Sequence, residues 1–513
     1  MVTVRTASIL VVLVSAAVLA ERMLRFWIDV PYWDQWELVP LLEKMFGGTL
    51  TVGDLFAQQN EHRIFFPLLI MLGLARLTHW DIRYELVMIF LLACAIFAVI
   101  VFQFFKTRRR IDSVQPEWPV AMLGMLVFSF AQWENWMWGW QIQILFSVWA
   151  IVTGIYLLDR QQFSRWTFSG ALVLGVLASF SFGNGLLYWI IAFPLVMFSR
   201  YRNQNERRIA IGIWFLLAAA VYILYFHDYV KPDDHPSLLV ALHHPVEFIR
   251  YVLIFVGTAI THSFTKLCEL MGVDNRMICS LFGFFGDASR EILAIAGIAF
   301  LISATFVLIR WSRLNFRVFL PYLCMAVYVI FSGMVIGVGR VGFGRFQGGS
   351  SRYATIANLF WYAVIIIIYI CFEAYRKSHV IQNTKKSDDE KAYVRRPWQV
   401  TVVFRAAVAF LVVIVMLYGL NAFKWWTKFQ DTHNTRTIAR MALVRIQDIQ
   451  EQERLQDGPV IRGLRMQSQD VLHDTDKILA ILYPRVDDLK ERAQVLIRHR
   501  LSVFRKLDRS SGG

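Results

Sequence analysis

The chain has 513 residues, 57% of them hydrophobic and only 18% charged, where soluble domains carry roughly 45–50% and about 25%. With 41 Phe, 18 Trp and 18 Tyr, this apolar excess is too large for one soluble core, and its long continuous runs mark an all-α polytopic membrane protein. Disorder, collagen, a disulfide-stapled secreted domain and a barrel of short alternating strands are excluded. The net charge of +15 concentrates between apolar runs, in KTRRR (106–110), RYRNQNERR (200–208), RWSRLNFR (310–317) and the stretch 375–397. Positive charge in short loops is the signature of the cytoplasmic side, so it is a topology signal rather than a nucleic-acid footprint.

The first run, 7–20, ends in Val18–Ala20, which resembles a signal cleavage site. The favoured reading is an uncleaved helix extending towards Trp27. A polar stretch from Pro31 to Arg63 follows on the outside. Run 64–78 is short, carries Pro67 and Arg76, and reads as a helix lying on the outer surface. Spans are expected at 84–105, 117–132, 140–158, 166–182, 185–199 and 209–226. Segment 227–290 holds two further apolar pieces, 248–264 and 277–286, which either both cross or both lie re-entrant or interfacial. Spans at 292–309, 318–336, 356–373 and 400–420 complete a count of about eleven, or thirteen if both uncertain pieces cross. Either count leaves the N-terminus inside and the C-terminus outside. The chain thus divides into a membrane module, 1–423, with a first outer loop at 28–83, and a polar tail, 424–513. Helical spacing in the tail predicts a small helical domain on the outer face. Cys94, Cys324 and Cys371 lie within apolar runs as small core residues. Cys268 and Cys279 lie outside, where a disulfide is permitted. His243 and His244 have no second metal-ligand motif beside them.

The expected spans are nearly free of charge, whereas a transport pathway needs ionisable groups near mid-membrane. The polar residues collect in the outer loops instead. In WDQWE, Asp34 sits between Trp33 and Trp36, a partly desolvated place that raises a carboxylate's pKa and suits a base. Glu37 is three residues on and shares its face if the segment is helical. Asp54, after Gly53, reads as a helix cap. NEHR (60–63) groups Glu61, His62 and Arg63 with an amide: an imidazole base or ligand, and a guanidinium suited to phosphate. The alternative is an interfacial helix start with a salt bridge. QWENWMWGWQ (132–141) sets Glu134 and Asn135 among indoles, Trp138 included, that offer platforms for a sugar ring or anchor the interface. SFGNG (181–185) is a tight turn carrying Asn184. Loop 337–358 is glycine-rich and holds Arg340, Arg345, Arg352 and Tyr353; arginines with exposed glycine backbone suit a phosphate ligand. Its loose GVGRVGFG follows a membrane helix, so a dinucleotide fingerprint is rejected.

This layout resembles the GT-C superfamily of membrane glycosyltransferases, which includes protein O-mannosyltransferases and lipid A aminoarabinose transferases. The likeness lies in an acid just after helix one, an interfacial helix before helix two, an acid in the second outer loop and an outer C-terminal domain. WDQWE, NEHR, ENWMWGWQ, SFGNG and SSRYAT also resemble motifs of a poorly characterised bacterial group in this class. The resemblance implies a polyprenyl-phosphate-linked sugar donor, used at the outer face of a bacterial inner membrane, with no nucleotide. It places Asp34 as the first-loop catalytic acid, Glu134 as the second acidic position, and Arg63, Arg345 and Arg352 on the donor phosphate. A divalent ion, if used, would lie between Asp34 and Glu134. Two features depart from the pattern: the loop has Asp34-x-x-Glu37 rather than a closer acid pair, and the tail shows no carbohydrate-binding β fold. The competing readings are a transporter or flippase of a lipid-linked saccharide, and a non-catalytic scaffold.

Overall fold

The computed structural model describes residues 2–232, 235–261, 276–312, 314–388, 398–455 and 476–506. Among them there is no β-strand; the regular structure is helical, with two isolated bridges, Gln59–His62 and Gln162–Arg200. Among the described residues, eight helices are by length and composition long and apolar enough to cross a membrane: Val4–Phe26, Ile82–Arg110, Gly139–Leu158, Gln204–Phe226, Ala288–Arg310, Leu320–Phe343, Ser351–Ser378 and Trp398–Gly419. This is an all-α multi-span membrane protein.

The helix starting at Ser351 runs through the middle of the bundle, with 94% of its apolar window buried against 17% for Val4–Phe26. The peripheral helices keep apolar faces outward, as lipid requires. Helix ends follow local chemistry. Asp81 caps Ile82–Arg110 by accepting from the Arg83 amide, and Arg108, Arg109 and Arg110 in its last turn oppose the negative helix terminus. Close packing relies on a small residue at Gly154, where a Cβ would come within 2.4 Å of the Tyr188 hydroxyl.

Several of the expected spans are built from shorter helices than their apolar runs suggest. The run 117–132 forms a ten-residue helix, Trp118–Val127, only about 15 Å long against a hydrocarbon core of about 30 Å. Ser129 then caps a new short turn by accepting from the Ala131 amide. The runs 166–182 and 248–264 form Arg165–Ser179 and Pro245–Gly257, of 15 and 13 residues. The run 185–199 breaks into Tyr188–Ile191 and Phe193–Met197, the second with Pro194 in its first turn. Hydropathy registers apolar length but not these interruptions. The piece 277–286 is no separate span: it continues into 292–309 as one helix, Arg276–Arg310. Cys268 and the side chain of Cys279 lie outside the described residues. Run 64–78 forms Phe65–Thr78, of 14 residues, about 21 Å long and too short to cross.

The run 400–420 belongs to a 58-residue helix, Trp398–Leu455, which continues unbroken through 423 and 424. Residues 476–506 form a turn, the helix Val486–Arg498 and a final 3₁₀ turn, Ser502–Lys506. Their apolar side, with Leu479, Leu482, Leu489 and Leu496, is fully buried. They dock on the first polar loop: the Trp33 amide donates to the Leu482 carbonyl at 2.6 Å and the Ser502 amide to the His79 carbonyl at 3.0 Å. Arg498 pairs with Glu43 at 2.7 Å.

Candidate functional site

The site is built around a short 3₁₀ helix, Trp33–Leu38, entered through Trp33 in the left-handed region at φ 48°. Its inner side is held rigidly. The Trp36 indole donates to the Pro31 carbonyl at 3.0 Å. The Gln35 amide oxygen accepts from the Tyr32 amide at 3.2 Å, and its nitrogen donates to Glu85 Oε2 at 2.6 Å. The other Glu85 oxygen accepts from the Trp80 indole at 2.9 Å. Gly139 presses onto this contact: a Cβ there would lie 1.9 Å from Glu85 Oε2 and 2.7 Å from Gln35 Nε2. The second tryptophan-rich loop can therefore close on the first only through glycine.

Asp34 projects from this helix, half buried. Among the described residues its carboxylate has no hydrogen bond or ion pair. Burial pushes its pKa up to about 6; Arg352 and Arg340 pull against that, while Glu37 and Glu61 add to it. The carboxylate thus lies in the field of two cations with its lone pairs unspent.

Arg352 is positioned by Glu134. Glu134 Oε2 accepts from Ser350 Oγ at 3.0 Å, Ser351 Oγ at 2.7 Å and the Arg352 amide at 2.9 Å. It therefore caps the turn that opens Ala354–Asp388, where a carboxylate also meets the positive end of the helix. Asn135 completes the clamp, donating to the Arg352 carbonyl at 3.1 Å and Thr355 Oγ1 at 2.7 Å. ENW and SSRYAT form one unit across more than 200 residues of sequence. Tyr353 is buried beside Phe255, ring centroids 5.3 Å apart. The Trp138 indole donates to the Tyr32 carbonyl at 2.9 Å and meets the Tyr32 ring edge-on, so it serves as a wall of the first loop.

A second polar group adjoins. Arg340 binds both oxygens of Glu61, at 2.8 and 2.9 Å, and His235 Nδ1 lies 3.0 Å from the same carboxylate. His62 packs on Phe182 and accepts at Nδ1 from the Gly183 amide, 3.3 Å away. Burial lowers its pKa to about 4, so it is neutral near pH 7 with its proton on Nε2. Asn184, next in SFGNG, is buried, and its amide nitrogen has no partner among the described residues.

Three residues expected to act on substrate are engaged elsewhere. Arg63 donates to the backbone carbonyls of Phe56 at 2.8 Å, Tyr225 at 2.7 Å and His227; it staples the first loop to the end of Gln204–Phe226. Arg345 pairs with Glu247 at 2.7 Å. Glu37 accepts from Tyr483, from Arg485 at 2.7 Å and from Arg492 at 3.0 Å. Burial raises Glu37, but the hydrogen bonds from Arg492 and Tyr483 and the charges of Arg492 and Arg485 more than reverse it, leaving its pKa below the usual range.

Sequence reasoning missed Gln35 and Glu85, whose roles depend on contacts across the fold. It also missed Arg436, buried in Trp398–Leu455, with its guanidinium 3.8 Å from the Tyr32 ring and donating to the Met137 carbonyl. Burial lowers the Arg436 pKa to about 10, with Tyr32 and Glu134 pulling the other way. Arg436 thus lies behind the loop that carries Glu134. Only the basic character of the tail signalled it.

The donor set does not suit a divalent cation between Asp34 and Glu134. Two arginines face Asp34, and one Glu134 oxygen already takes three hydrogen bonds. Among the described residues no group of three His, Cys, Asp or Glu side chains is arranged to hold a metal ion.

No family model matches this sequence, and no curated protein matches it. Among solved structures the chain is similar to the archaeal oligosaccharyltransferase AglB from Archaeoglobus fulgidus, solved in complex with an inhibitory peptide and a dolichol-phosphate. The identity is 12% and the TM-score 0.41, over 82% of this chain and 56% of that one. The chain thus spans little more than half the length of that protein.

Proposed function

We propose that the protein is a membrane glycosyltransferase that moves a sugar from a polyprenyl-phosphate-linked donor to a hydroxyl acceptor on a lipid, glycan or protein. The reaction takes place on the face opposite the arginine-rich loops, the outer face of a bacterial inner membrane. One observation carries this reading: Asp34, an unpartnered half-buried carboxylate raised to about 6, beside Arg352. A base of that pKa is mostly ionised at pH 7 yet basic enough to take a proton in the transition state.

In this mechanism Asp34 takes the acceptor hydroxyl proton as the acceptor oxygen bonds to the anomeric carbon. The bond from that carbon to the phosphate oxygen breaks, with inversion, and the lipid phosphate leaves as the anion. Arg352 meets its charge as a preorganised cation, and Arg340, held by Glu61, adds to the positive field. Glu134 and Asn135 are positioning residues, since they hold the Arg352 backbone. Trp133 and Trp138 bracket the sugar or prenyl chain. Arg63 and Arg345 are left to structure, because their guanidinium groups are already engaged. The lipid phosphate is the leaving group, so no nucleotide enters, and no step needs a divalent ion.

The test is sugar transfer in proteoliposomes supplied with a set of polyprenyl-phosphate sugars, with and without a metal chelator. Wild type should transfer, insensitive to chelation, and Arg352→Gln should lower the rate by about 10²-fold, the size of losing one charge-stabilising donor. Transfer that survives both Asp34→Asn and Arg352→Gln would sink the mechanism. Movement of the lipid between leaflets without transfer from any donor would make the flippase reading the correct one.

A further inference from the structure

A second charged site lies at the far end of the molecule from Asp34. Glu85, which holds the Asp34 helix, and Arg110 lie on one helix, Ile82–Arg110, about 37 Å apart at 1.5 Å per residue. Here a cavity of 170 Å³ is enclosed by the ends of Ile82–Arg110 and Ile142–Leu158 and by the loops before Gln204–Phe226 and Leu320–Arg340. Arg110, Arg160, Arg200 and Arg317 line it, with Asp159 as the one acidic residue among the lining groups.

Asp159 is already saturated. It accepts from Arg110 at 2.7 and 2.9 Å and from Gln103 at 2.7 Å, and Lys106 lies 3.4 Å away. It neutralises the cations on its own side of the cavity. Among the described residues, Arg160, Arg200 and Arg317 form no ion pair with any carboxylate. The Arg317 guanidinium reaches the Gln161 carbonyl, at 3.5 Å. Its pKa is lowered by burial and by the charges of Arg200 and Arg110, with Asp159 pulling more weakly the other way, so the arginines repel one another across the space. The wall is built rather than loose: the Phe163 amide donates to the Arg200 carbonyl at 2.9 Å, beside the Gln162–Arg200 bridge. Gln161 and Asn315 also line it, and Leu195, Phe198 and Leu320 give it an apolar side.

We propose that this cavity binds a phosphate-bearing anion, its charge held by Arg160, Arg200 and Arg317 and an attached chain lying on the apolar lining. Guanidinium groups arriving from three separate loops suit a tetrahedral, multi-oxygen anion better than a single planar carboxylate. The positive-inside rule places this arginine-rich end at the cytoplasmic surface, where anionic phospholipids and soluble phosphate are both at hand. The site takes no part in the transfer reaction and stands independently of it.

The test uses the purified full-length protein in a neutral detergent, observed by native mass spectrometry. The probes are phosphatidylglycerol, phosphatidylcholine and inorganic phosphate. Wild type should retain phosphatidylglycerol but not phosphatidylcholine, and Arg200→Gln with Arg317→Gln should weaken retention by at least about tenfold, the size of one lost charge-assisted hydrogen bond. Arg160 is exposed, so Arg160→Gln tests the same point where the double variant fails to fold. Retention of inorganic phosphate instead, lost in the same variants, supports the site with a soluble ligand. Equal retention of every probe by wild type and variants overturns the proposal.

Discussion

Asp34 and Glu37 carry the same charge one turn apart on one short helix, and their surroundings have opposite characters. Towards the tryptophan-rich loop, Asp34 faces Arg352 and Arg340 with no hydrogen bond, and burial raises its pKa to about 6. Towards the C-terminal segment, Glu37 is tied to Tyr483, Arg485 and Arg492 and held below the usual carboxylate range. Side chains at i and i+3 of a 3₁₀ helix eclipse, so a shared face does not make two acids a catalytic pair. What separates them is whether their lone pairs are spent. A carboxylate with three donors fastens structure; one with none can accept a proton.

The largest test of this contrast is Asp34→Asn. It should cut transfer by about 10²-fold or more, the usual worth of a general base, while the protein melts no lower. The second test reads the same group through pH. Only the ionised carboxylate accepts a proton, so the rate should fall about tenfold per pH unit below about 6 and level off above it; Asp34→Asn should abolish this profile. The sign for stability is the reverse of an ordinary salt-bridged acid. The folded pKa lies above the unfolded 3.8, so the group costs stability as pH rises from there through about 6, and the cost is constant above. At pH 7 the asparagine variant should therefore melt at the same or a higher temperature. A variant that is both inactive and much less stable would mean that Asp34 is structural.

Glu134→Gln comes next. The amide keeps an oxygen to accept from the 350–352 turn but loses the charge at that helix start, so transfer should fall by about tenfold through misplacement of Arg352. Because the role is one of positioning, the pH profile set by Asp34 should keep its midpoint. A midpoint that moves would instead put Glu134 in proton transfer.

The contrast also shows which parts of the fold can be read along the chain. Asp34 stands out because its flanking tryptophans predict desolvation, a local property. The apolar runs mark membrane helices for the same reason. Partnership is not local. Arg63 has the chemistry of a phosphate binder, yet its N–H groups meet three backbone carbonyls, which any sequence contains. Glu134 and Arg352 announce themselves by type, but that one holds the other depends on two loops more than 200 residues apart. Gln35, Glu85 and Arg436 carry no local signal, and Gly139 matters only because another helix places a carboxylate against it. Helix length fails similarly: Ser129 and Pro194 interrupt apolar runs without changing their hydropathy.

The smallest effect belongs to the fastened side. Glu37→Gln removes the charge that Arg485 and Arg492 share but leaves an oxygen for Tyr483. Charge-assisted hydrogen bonds of this kind are worth about 1–3 kcal/mol, part of it retained by the amide. Transfer should change only a few-fold, since Asp34 remains held from the other side by Gln35 and Glu85. The consequence should appear instead in the docking of 476–506, as faster proteolytic nicking there and faster amide exchange at Trp33, whose N–H donates to Leu482. The pH dependence also has the opposite sign to that of Asp34. The Glu37 pKa is depressed on folding, so its contribution is present above the unfolded 4.5 and is lost as pH falls below that value. Acid should therefore loosen the C-terminal segment in wild type and have less effect in the variant. A Glu37→Gln protein as inactive as Asp34→Asn, with its tail still docked, would show that both acids act on substrate and form one site.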